Sequence, residues 1–306
     1  MTTPEGERSE RSGVPTRAFV PGHVTGFFSV HPHDDPRRAG SRGAGIALAD
    51  GVAVELAPAS EPHETTVTLD GEPVTMDAVA RTLDALGVAA RVAIETPLPV
   101  SAGFGVSGGA ALGAALAANA RFALERTGND LVGVAHAAEV AAGTGLGDVV
   151  AQARGGIPIR LEPGAPPHGD LDGIPVRARR RVEYVSFDGR STEAVLGGDT
   201  DALSAAGERA LAALRTAPTL ERLVSCSAAF AREADLLTER VETAIGAVEA
   251  AGGAASMAML GETVFALDTG LSDAGYEPAT CAIHSPGAGI VGTGSVGTGS
   301  VGTGSG

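Results

Sequence analysis

A glycine-rich segment at positions 99–109 constrains the fold more than any other part of this chain, because it leads directly into a long alanine- and leucine-rich stretch. The segment reads Pro-Val-Ser-Ala-Gly-Phe-Gly-Val-Ser-Gly-Gly, and the stretch behind it predicts a helix over residues 107–126. Glycines permit tight turns that present successive N–H groups, and a helix start adds unpaired N–H groups and a positive dipole end. These features predict an anion site suited to phosphate, with the Ser107 hydroxyl placed to cap the helix or to ligate magnesium.

Two other interpretations fit the same glycines. The first is a simple turn in which Ser107 caps the helix. The second is a dinucleotide-binding loop, because residues 103–108 match Gly-x-Gly-x-x-Gly. That fingerprint needs a strand running straight into its first glycine and an acidic residue ending a second strand about 20 residues later. Here Pro97 and Pro99 interrupt the approach and residues 122–126 are still predicted to be helical, so a dehydrogenase is the least favoured class.

The basic residues exclude several kinds of enzyme. All 22 of them are arginine, and the chain contains no lysine. A Schiff-base enzyme, a Walker A loop and a typical protein kinase each need a lysine, so none of these is possible. The net charge of −15 disfavours nucleic acid as a partner. We expect no membrane span, because no run of about 18 apolar residues occurs, and two cysteines fit a reducing, cytoplasmic location.

A second polar cluster lies at residues 136–156, set among alanine and glycine. His136 and Glu139 are three positions apart and therefore share one face of a predicted helix. Three glycines follow, and Asp148 begins the next element. Two carboxylates near a phosphate loop suit phosphoryl transfer, since one can hold Mg²⁺ and the other can orient or deprotonate the attacking hydroxyl. The alternative is that Glu139 is a solvated helix residue and Asp148 a helix cap.

The order of predicted elements indicates an α+β protein with two lobes. We expect a flexible lead at 1–14, an N-terminal lobe at 15–165, a C-terminal lobe at 176–286 and a disordered tail at 287–306. The tail follows from its Val-Gly-Thr-Gly-Ser repeats, and the four prolines of 162–175 mark that stretch as the linker. The predicted strands are 17–20, 45–57, 65–69, 89–95, 157–161, 182–187 and 263–268. The predicted helices are 77–86, 107–126, 131–142, 148–154, 200–214, 219–236 and 238–251.

Three motifs, in this order, resemble the GHMP kinase superfamily. They are Ala-Phe-Val-Pro-Gly-His-Val-Thr-Gly-Phe-Phe at 18–28, the glycine loop at 99–107, and Gly-Gly-Ala-Ala-Ser-Met-Ala-Met-Leu-Gly at 252–261. The segment at 147–156 is similar to the one that carries the superfamily's catalytic aspartate. The resemblance implies a ribosomal-S5-like (S5 domain 2-like) N-terminal lobe and a ferredoxin-like C-terminal lobe, with ATP between them.

Within the superfamily, the segments at 19–28, 40–45 and 257–261 resemble the archaeal pantoate kinase family. This resemblance implies Mg²⁺-dependent transfer of the ATP γ-phosphoryl group to the primary hydroxyl of pantoate, giving 4-phosphopantoate for coenzyme A biosynthesis. The superfamily's habit also implies a homodimer. Two alternatives stay open: another GHMP small-molecule kinase, of the homoserine or mevalonate type, and a catalytically silent nucleotide-binding protein on the same fold.

The site residues can now be assigned expected roles. Ser107 and Glu139 would hold Mg²⁺, and Asp148 would accept the hydroxyl proton. Arg160 would bind the pantoate carboxylate, because a guanidinium matches carboxylate geometry. Further substrate-binding candidates are His136, Ser41 and His23, the last standing where many superfamily members have lysine. The expected ATP-binding residues are Pro99, Ser101, Gly103, Gly105, Ser107, Gly108 and Gly109.

Overall fold

The computed structural model describes residues 16–61, 63–177, 179–187 and 200–291. Eight helices are described: α1 (Asp77–Leu86), α2 (Val106–Phe122), α3 (Gly128–Ala142), α4 (Asp148–Arg154), α5 (Asp201–Thr216), α6 (Leu220–Glu233), α7 (Glu239–Ala250) and α8 (Gly270–Asp273). The described strands are β1 (Thr16–His31), β2 (Gly40–Pro58), β3 (Thr66–Leu69), β4 (Glu72–Pro73), β5 (Ala90–Glu95), β6 (Pro158–Glu162), β7 (Asp170–Gly173), β8 (Arg181–Ser186), β9 (Ala255–Ala258), β10 (Thr263–Leu267), β11 (Ala279–Ala282) and β12 (Gly289–Val291). Within these ranges no helix is both long and apolar enough to cross a membrane.

The first sheet has eight strands and is built around the long antiparallel pair β1 and β2. Its main order is β12-β1-β2-β5-β3-β4, and β6 joins β2 and carries β7. The β1–β2 register shifts between Pro21 and Gly22 and again between Thr25 and Phe27. Bulges of this kind bend a strand and redirect its side chains. They lie in the segment of β1 that carries His23 and Thr25, and they therefore help to aim both residues.

Helix α2 lies directly against the β1–β2 pair, because its small residues permit a close approach. A Cβ atom on Gly113 would lie 2.5 Å from Cγ2 of Val54, and one on Gly109 would lie 2.9 Å from Cγ2 of Val52. The helix is buried on nearly every face, which explains an apolar composition without a clear stripe. This packing fixes the start of α2, and with it the glycine loop, against β1 and β2.

The second sheet has four strands in the order β11-β8-β10-β9 and packs on helices α6 and α7. It meets the first lobe at the end of β9, where the Met259 N–H donates to the Thr25 carbonyl at 3.0 Å. A Cβ on Gly261 would lie 2.3 Å from the Ala102 carbonyl group, so the third glycine motif approaches the phosphate loop directly. The two-lobed α+β architecture predicted from the sequence is confirmed.

The structure differs from the sequence expectations at several boundaries. Strand β1 covers 16–31 rather than 17–20, and β2 covers 40–58 rather than 45–57. The stretch 162–175 is not a free linker, because β7 within it pairs with β6 in the first sheet. Part of the expected tail is ordered, since residues 289–291 form β12 and pair with β1. Helix α2 ends at Phe122 rather than 126, where Ala123 takes a positive φ of 51°. The expected lead at 1–14 and residues 292–306 of the tail lie outside the described residues.

Candidate active site

A cleft with a cavity of about 260 Å³ lies where the glycine loop, the start of α4 and the end of β9 converge. Residues 144–148 and 100–107 form most of its wall, and the second lobe contributes Met259 and Leu260. The other lining residues are Thr25, Phe28, Ser41, Glu139 and Arg160. Polar groups from six separate segments therefore face one space that can hold a small molecule.

The glycine loop opens α2 at this cleft. Gly103 has φ 88° and Gly105 has φ 65°, and Gly105 is the N-cap residue without a side-chain cap. Ser107 is therefore already inside the helix, so the interpretation of it as the cap is wrong. The first N–H groups of a helix lack partners within the helix and point outward along its axis. Together with the loop they form an anion cradle at the cleft.

The expected ATP-binding residues fall into two groups. Ser101, Gly103, Gly105 and Ser107 line the cleft. Pro99 is exposed and, like Gly108 and Gly109, is not part of the lining. The two glycines are buried in the packing of α2, and the Gly109 N–H donates to the Gly105 carbonyl at 2.9 Å. The cradle thus ends earlier in the chain than the sequence indicated.

Glu139 lies on α3 beneath the start of α2 and is 2 % exposed. The Ser107 hydroxyl donates to its Oε2 at 3.1 Å and lies 3.4 Å from the Thr144 hydroxyl. Burial and the neighbouring Asp148 charge raise the pKa of Glu139 to about 7, more than the hydroxyls lower it. Glu139 is therefore a buried carboxyl facing the cleft, and its interpretation as a solvated helix residue is wrong.

These oxygens form a set that suits magnesium. Ser107, Thr144 and Glu139 supply two hydroxyls and one carboxylate, and all three line the cleft. Mg²⁺ prefers oxygen ligands and normally completes its shell with water and substrate phosphates. Across the described ranges, no group of three or more His, Cys, Asp and Glu side chains could hold a metal unaided. The arrangement therefore suits a cation that arrives with its substrate.

Asp148 is the first residue of α4, with Gly147 as the N-cap residue, so the interpretation of Asp148 as the cap is wrong. Its Oδ1 lies 2.7 Å from His23 Nδ1. Burial favours the neutral acid, yet hydrogen bonds from His23 and Thr25 and the charge of Arg160 hold the pKa of Asp148 below its usual value. Asp148 is thus an ionised carboxylate with its side chain 23 % exposed, at the wall of the cleft.

Arg160 is the largest of the fully buried side chains and lies on β6 at the cleft wall. Its Nε and Nη1 atoms find no hydrogen-bond partner among the described residues. Burial lowers the pKa of Arg160 to about 10, against the opposing effect of Asp148, so the guanidinium stays charged at neutral pH. A buried charge with unused donors is costly unless a ligand pairs with it. Arg160 therefore marks a place for an anion.

The Arg160 guanidinium and the Ser41 hydroxyl both lie close to the Cα atom of Gly147. A Cβ there would lie 2.6 Å from Arg160 Nε and 2.5 Å from Ser41 Oγ, which requires glycine. The Ser41 hydroxyl donates to the Leu146 carbonyl at 3.3 Å and lines the cleft. The structure therefore brings Ser41 and Arg160 together at the cleft.

The two histidine candidates do not line the cleft. His136 Nε2 lies 2.8 Å from the Ala39 carbonyl, and its ring is 1 % exposed. Its position on the Glu139 face of α3 suggested a substrate contact, but the ring packs between α3 and the start of β2. His23 is fully buried behind Asp148. The structure therefore places both histidines in supporting positions.

Sequence reasoning missed three polar residues. The first two are Thr25 and Thr144, whose hydroxyls lie beside Asp148 and Glu139. The third is Gln152, whose Nε2 donates to the carbonyls of Pro21 at 2.9 Å and Gly105 at 3.0 Å, tying the first motif to the glycine loop. Thr25 and Gln152 lie inside quoted motifs, but only the three-dimensional packing shows what they contact.

Comparisons with known proteins agree with this geometry. Residues 74–156 match the model of the GHMP kinases N-terminal domain. The chain is 36 % identical to the pantoate kinase of Thermococcus kodakarensis over 264 residues, covering 82 % of this chain and 87 % of that protein. It is 32 % identical to the pantoate kinase of Methanospirillum hungatei over 263 residues, covering 82 % and 86 %.

A solved structure described as a phosphotransferase related to the CoA biosynthesis pathway is similar throughout. It superimposes with a TM-score of 0.80 at 29 % identity, covering 91 % of this chain and 99 % of the other. The similarity thus extends over both lobes and the cleft between them. On this evidence, the chain belongs to the pantoate kinase family of the GHMP kinases.

Proposed function

We propose that this protein is an ATP-dependent kinase that phosphorylates the primary hydroxyl of pantoate, giving 4-phosphopantoate and ADP in coenzyme A biosynthesis. The observation that carries the proposal is Arg160, a buried cation with two unpaired donor atoms at the wall of the same cleft as the phosphate cradle and Asp148. An acceptor with both a carboxylate and a hydroxyl matches these two groups.

The ATP phosphates would bind at the backbone N–H groups of 103–107. This assignment is supported by the left-handed φ angles of the loop and by the helix start, and it requires no lysine. Ser101 and Val100 lie at the outer rim, where Val100 is 50 % exposed. The chain therefore meets phosphate charge with backbone dipoles.

Ser107 and Glu139 would hold Mg²⁺, with Thr144 close enough to contribute a third oxygen. The donor set described above is the support for this assignment. Bound Mg²⁺ would neutralise charge on the nucleotide phosphates. The chain's own part is to keep a carboxylate and two hydroxyls together under the start of α2.

Asp148 would accept the proton of the pantoate hydroxyl. As that oxygen forms its bond to the γ-phosphorus, the bond from the γ-phosphorus to the β,γ-bridging oxygen breaks and ADP leaves. The lowered pKa of Asp148 keeps it ionised and ready to accept a hydrogen bond from the hydroxyl. Orientation of the hydroxyl is the larger contribution that a weakly basic carboxylate can make.

The pantoate carboxylate would pair with Arg160 beside Ser41. Phe28, Leu146 and Leu260 give the cleft an apolar wall suited to the two methyl groups of pantoate. Desolvated pairing between a guanidinium and a carboxylate is strong when both donor atoms are used.

The decisive experiment measures ADP release with pantoate, homoserine or mevalonate as the sole acceptor. We expect turnover with pantoate alone, and phosphorus NMR of the product should show a phosphomonoester on the primary carbon. Preferential turnover of homoserine or mevalonate would assign the chain to another GHMP activity. ATP binding without ADP release on any acceptor would favour a silent nucleotide-binding protein.

We also infer a cytoplasmic homodimer. The reasons are the low cysteine content and the habit of the superfamily rather than an interface. Light scattering of the purified protein should give twice the mass of one 30.3 kDa chain.

A further inference from the structure

His23 is enclosed by three elements. It lies on β1, its ring is fully buried, and Nδ1 lies 2.7 Å from Asp148 Oδ1 at the start of α4. On the other side, a Cβ atom on Gly45 of β2 would lie 2.3 Å from His23 Nε2. The absence of a side chain at Gly45 therefore creates the space for the ring. Nδ1 also lies 3.4 Å from the Thr25 hydroxyl, so the ring contacts two residues of the cleft wall, and the contact with Asp148 is the shorter one.

The surroundings of the ring decide where its proton lies. Asp148 is ionised, so its oxygens only accept, and Nδ1 must carry the proton that it donates. Nε2 is buried and has no partner among the described residues. A second proton there would create a buried, unpaired N–H group on a charged ring. Burial accordingly lowers the pKa of His23, despite the nearby carboxylate.

We propose that His23 is a positioning residue that remains neutral, with its proton on Nδ1, and that it orients Asp148 by a fixed hydrogen bond to Oδ1. Both carboxylate oxygens lie beside glycines that line the cleft, Oδ1 near Gly105 and Oδ2 near Gly145. Because Oδ1 already accepts from His23, Oδ2 is the oxygen that would meet the reacting hydroxyl. This inference rests on the proposed function, in which Asp148 receives the proton.

Neutrality gives His23 a distinct role. A neutral donor holds the carboxylate without adding positive charge to the cleft, so Arg160 is the cation left to face the substrate carboxylate. His23 also has no route for passing a proton onward within the described ranges, because Nε2 has no hydrogen-bond partner there. His23 therefore directs Asp148 and does not relay its proton.

A double-mutant cycle tests the positioning role. His23→Leu should lower kcat about 10- to 100-fold, the range typical of partners that orient a reactive group, with little change in the KM for ATP. His23→Asn, whose amide can replace the Nδ1 donor, should recover much of that loss. In an Asp148→Asn background, His23→Leu should lower the residual kcat less than two-fold, because its partner is already altered.

Two outcomes would overturn the role. The first is that His23→Leu lowers kcat as much in the Asp148→Asn background as it does in the wild-type protein. The second is an equal loss for His23→Asn and His23→Leu when both retain the wild-type melting temperature. If His23→Leu does not fold, His23→Ala takes its place as the variant without a donor, and the role is overturned if folded His23→Ala and His23→Asn lose kcat equally.

Nitrogen NMR tests the protonation state without any activity. In full-length protein labelled with ¹⁵N-histidine, the His23 signals, assigned with His23→Asn, should show a proton on Nδ1 and an unprotonated Nε2 from pH 6 to 8. A proton on Nε2, or a doubly protonated ring, would contradict the proposal. If wild-type protein fails to phosphorylate pantoate, the proposed function fails, while this measurement still reports on the His23–Asp148 pair.

Discussion

Two carboxyl groups face the same cleft, but their surroundings shift their pKa values in opposite directions. Glu139 has its pKa raised to about 7, whereas Asp148 has its pKa held below the usual value. Burial raises the pKa of both, so burial does not explain the difference. The difference comes from the neighbouring groups. Asp148 receives a ring N–H and lies near a guanidinium, whereas Glu139 lies near the Asp148 charge and its carboxylate accepts from the Ser107 hydroxyl, with the Thr144 hydroxyl close by.

This contrast separates two tasks. A carboxyl that stays partly protonated without a cation is suited to gaining one, since a bound metal replaces the proton. A carboxylate that stays ionised is suited to receiving a hydroxyl hydrogen bond at once. Pairs of groups whose environments push their pKa values apart often mark a division of chemical roles. Here the division matches the proposed roles of Glu139 in holding the cation and of Asp148 in accepting the proton.

The largest expected effect on turnover comes from a substitution at Asp148. Asp148→Asn removes the proton acceptor and should lower kcat by about 10²- to 10⁴-fold while ATP binding is retained. Steady-state kinetics with calorimetric titration of a non-hydrolysable ATP analogue measures both. The control is Asp84→Asn, an exposed carboxylate on α1, which should behave as wild type. Unchanged turnover in Asp148→Asn would remove the proposed division of roles.

The next effect concerns the cation beside Asp148. Arg160→Ala should raise the KM for pantoate about 30- to 1000-fold, equivalent to about 2–4 kcal/mol, the cost of losing a buried charge pair. The KM for ATP should change far less. The KM of Arg160→Lys for pantoate should lie between those of wild type and Arg160→Ala, because lysine keeps the charge but not the paired donors. Equal increases in both KM values would show that Arg160 does not select the acceptor.

Because Glu139 is proposed to hold Mg²⁺, activation by magnesium should depend on pH. The raised pKa means that the metal-free carboxyl is protonated below about 7 and ionised above it. Mg²⁺ must displace a proton at low pH, so its apparent affinity should rise as pH increases to about 7 and then level off. Glu139→Gln should weaken Mg²⁺ activation about 10- to 100-fold and flatten this pH dependence. Activation by Mg²⁺ with the same pH profile in Glu139→Gln would place the cation elsewhere.

Local spacing explains what the sequence could predict. The glycine loop, Ser107, Glu139 and Asp148 stood out because turn residues, a helix start and carboxylates recur within short segments. The same local reasoning was wrong for His136, which shares a helix face with Glu139 but contacts the carbonyl of Ala39, the residue that precedes β2. Helix periodicity fixes which residues share a face and leaves open what packs against it.

The features that the sequence did not predict depend on contacts between residues far apart in the chain. His23 and Asp148 are 125 positions apart, so no spacing rule connects them. Strand β12 lies at the start of a glycine-rich repeat whose composition predicts disorder, yet β1 offers it an edge to pair with. Likewise β7 lies in a proline-rich stretch and is held by β6. Tertiary contacts overrode local preference in each case.

The smallest effect should come from Thr144, and it distinguishes two uses of a hydroxyl. The Thr144 hydroxyl lowers the pKa of Glu139, so Thr144→Val should raise that pKa further. One hydrogen bond of about 0.5–1.5 kcal/mol corresponds to a 2- to 10-fold weaker Mg²⁺ activation at pH 6.5. The loss should nearly vanish at pH 8.5, where Glu139 is ionised in both proteins, and Thr243→Val on the exposed face of α7 is the matched control. A loss of equal size at both pH values would mean that Thr144 contacts the cation or the phosphates directly and does not act through the ionisation of Glu139.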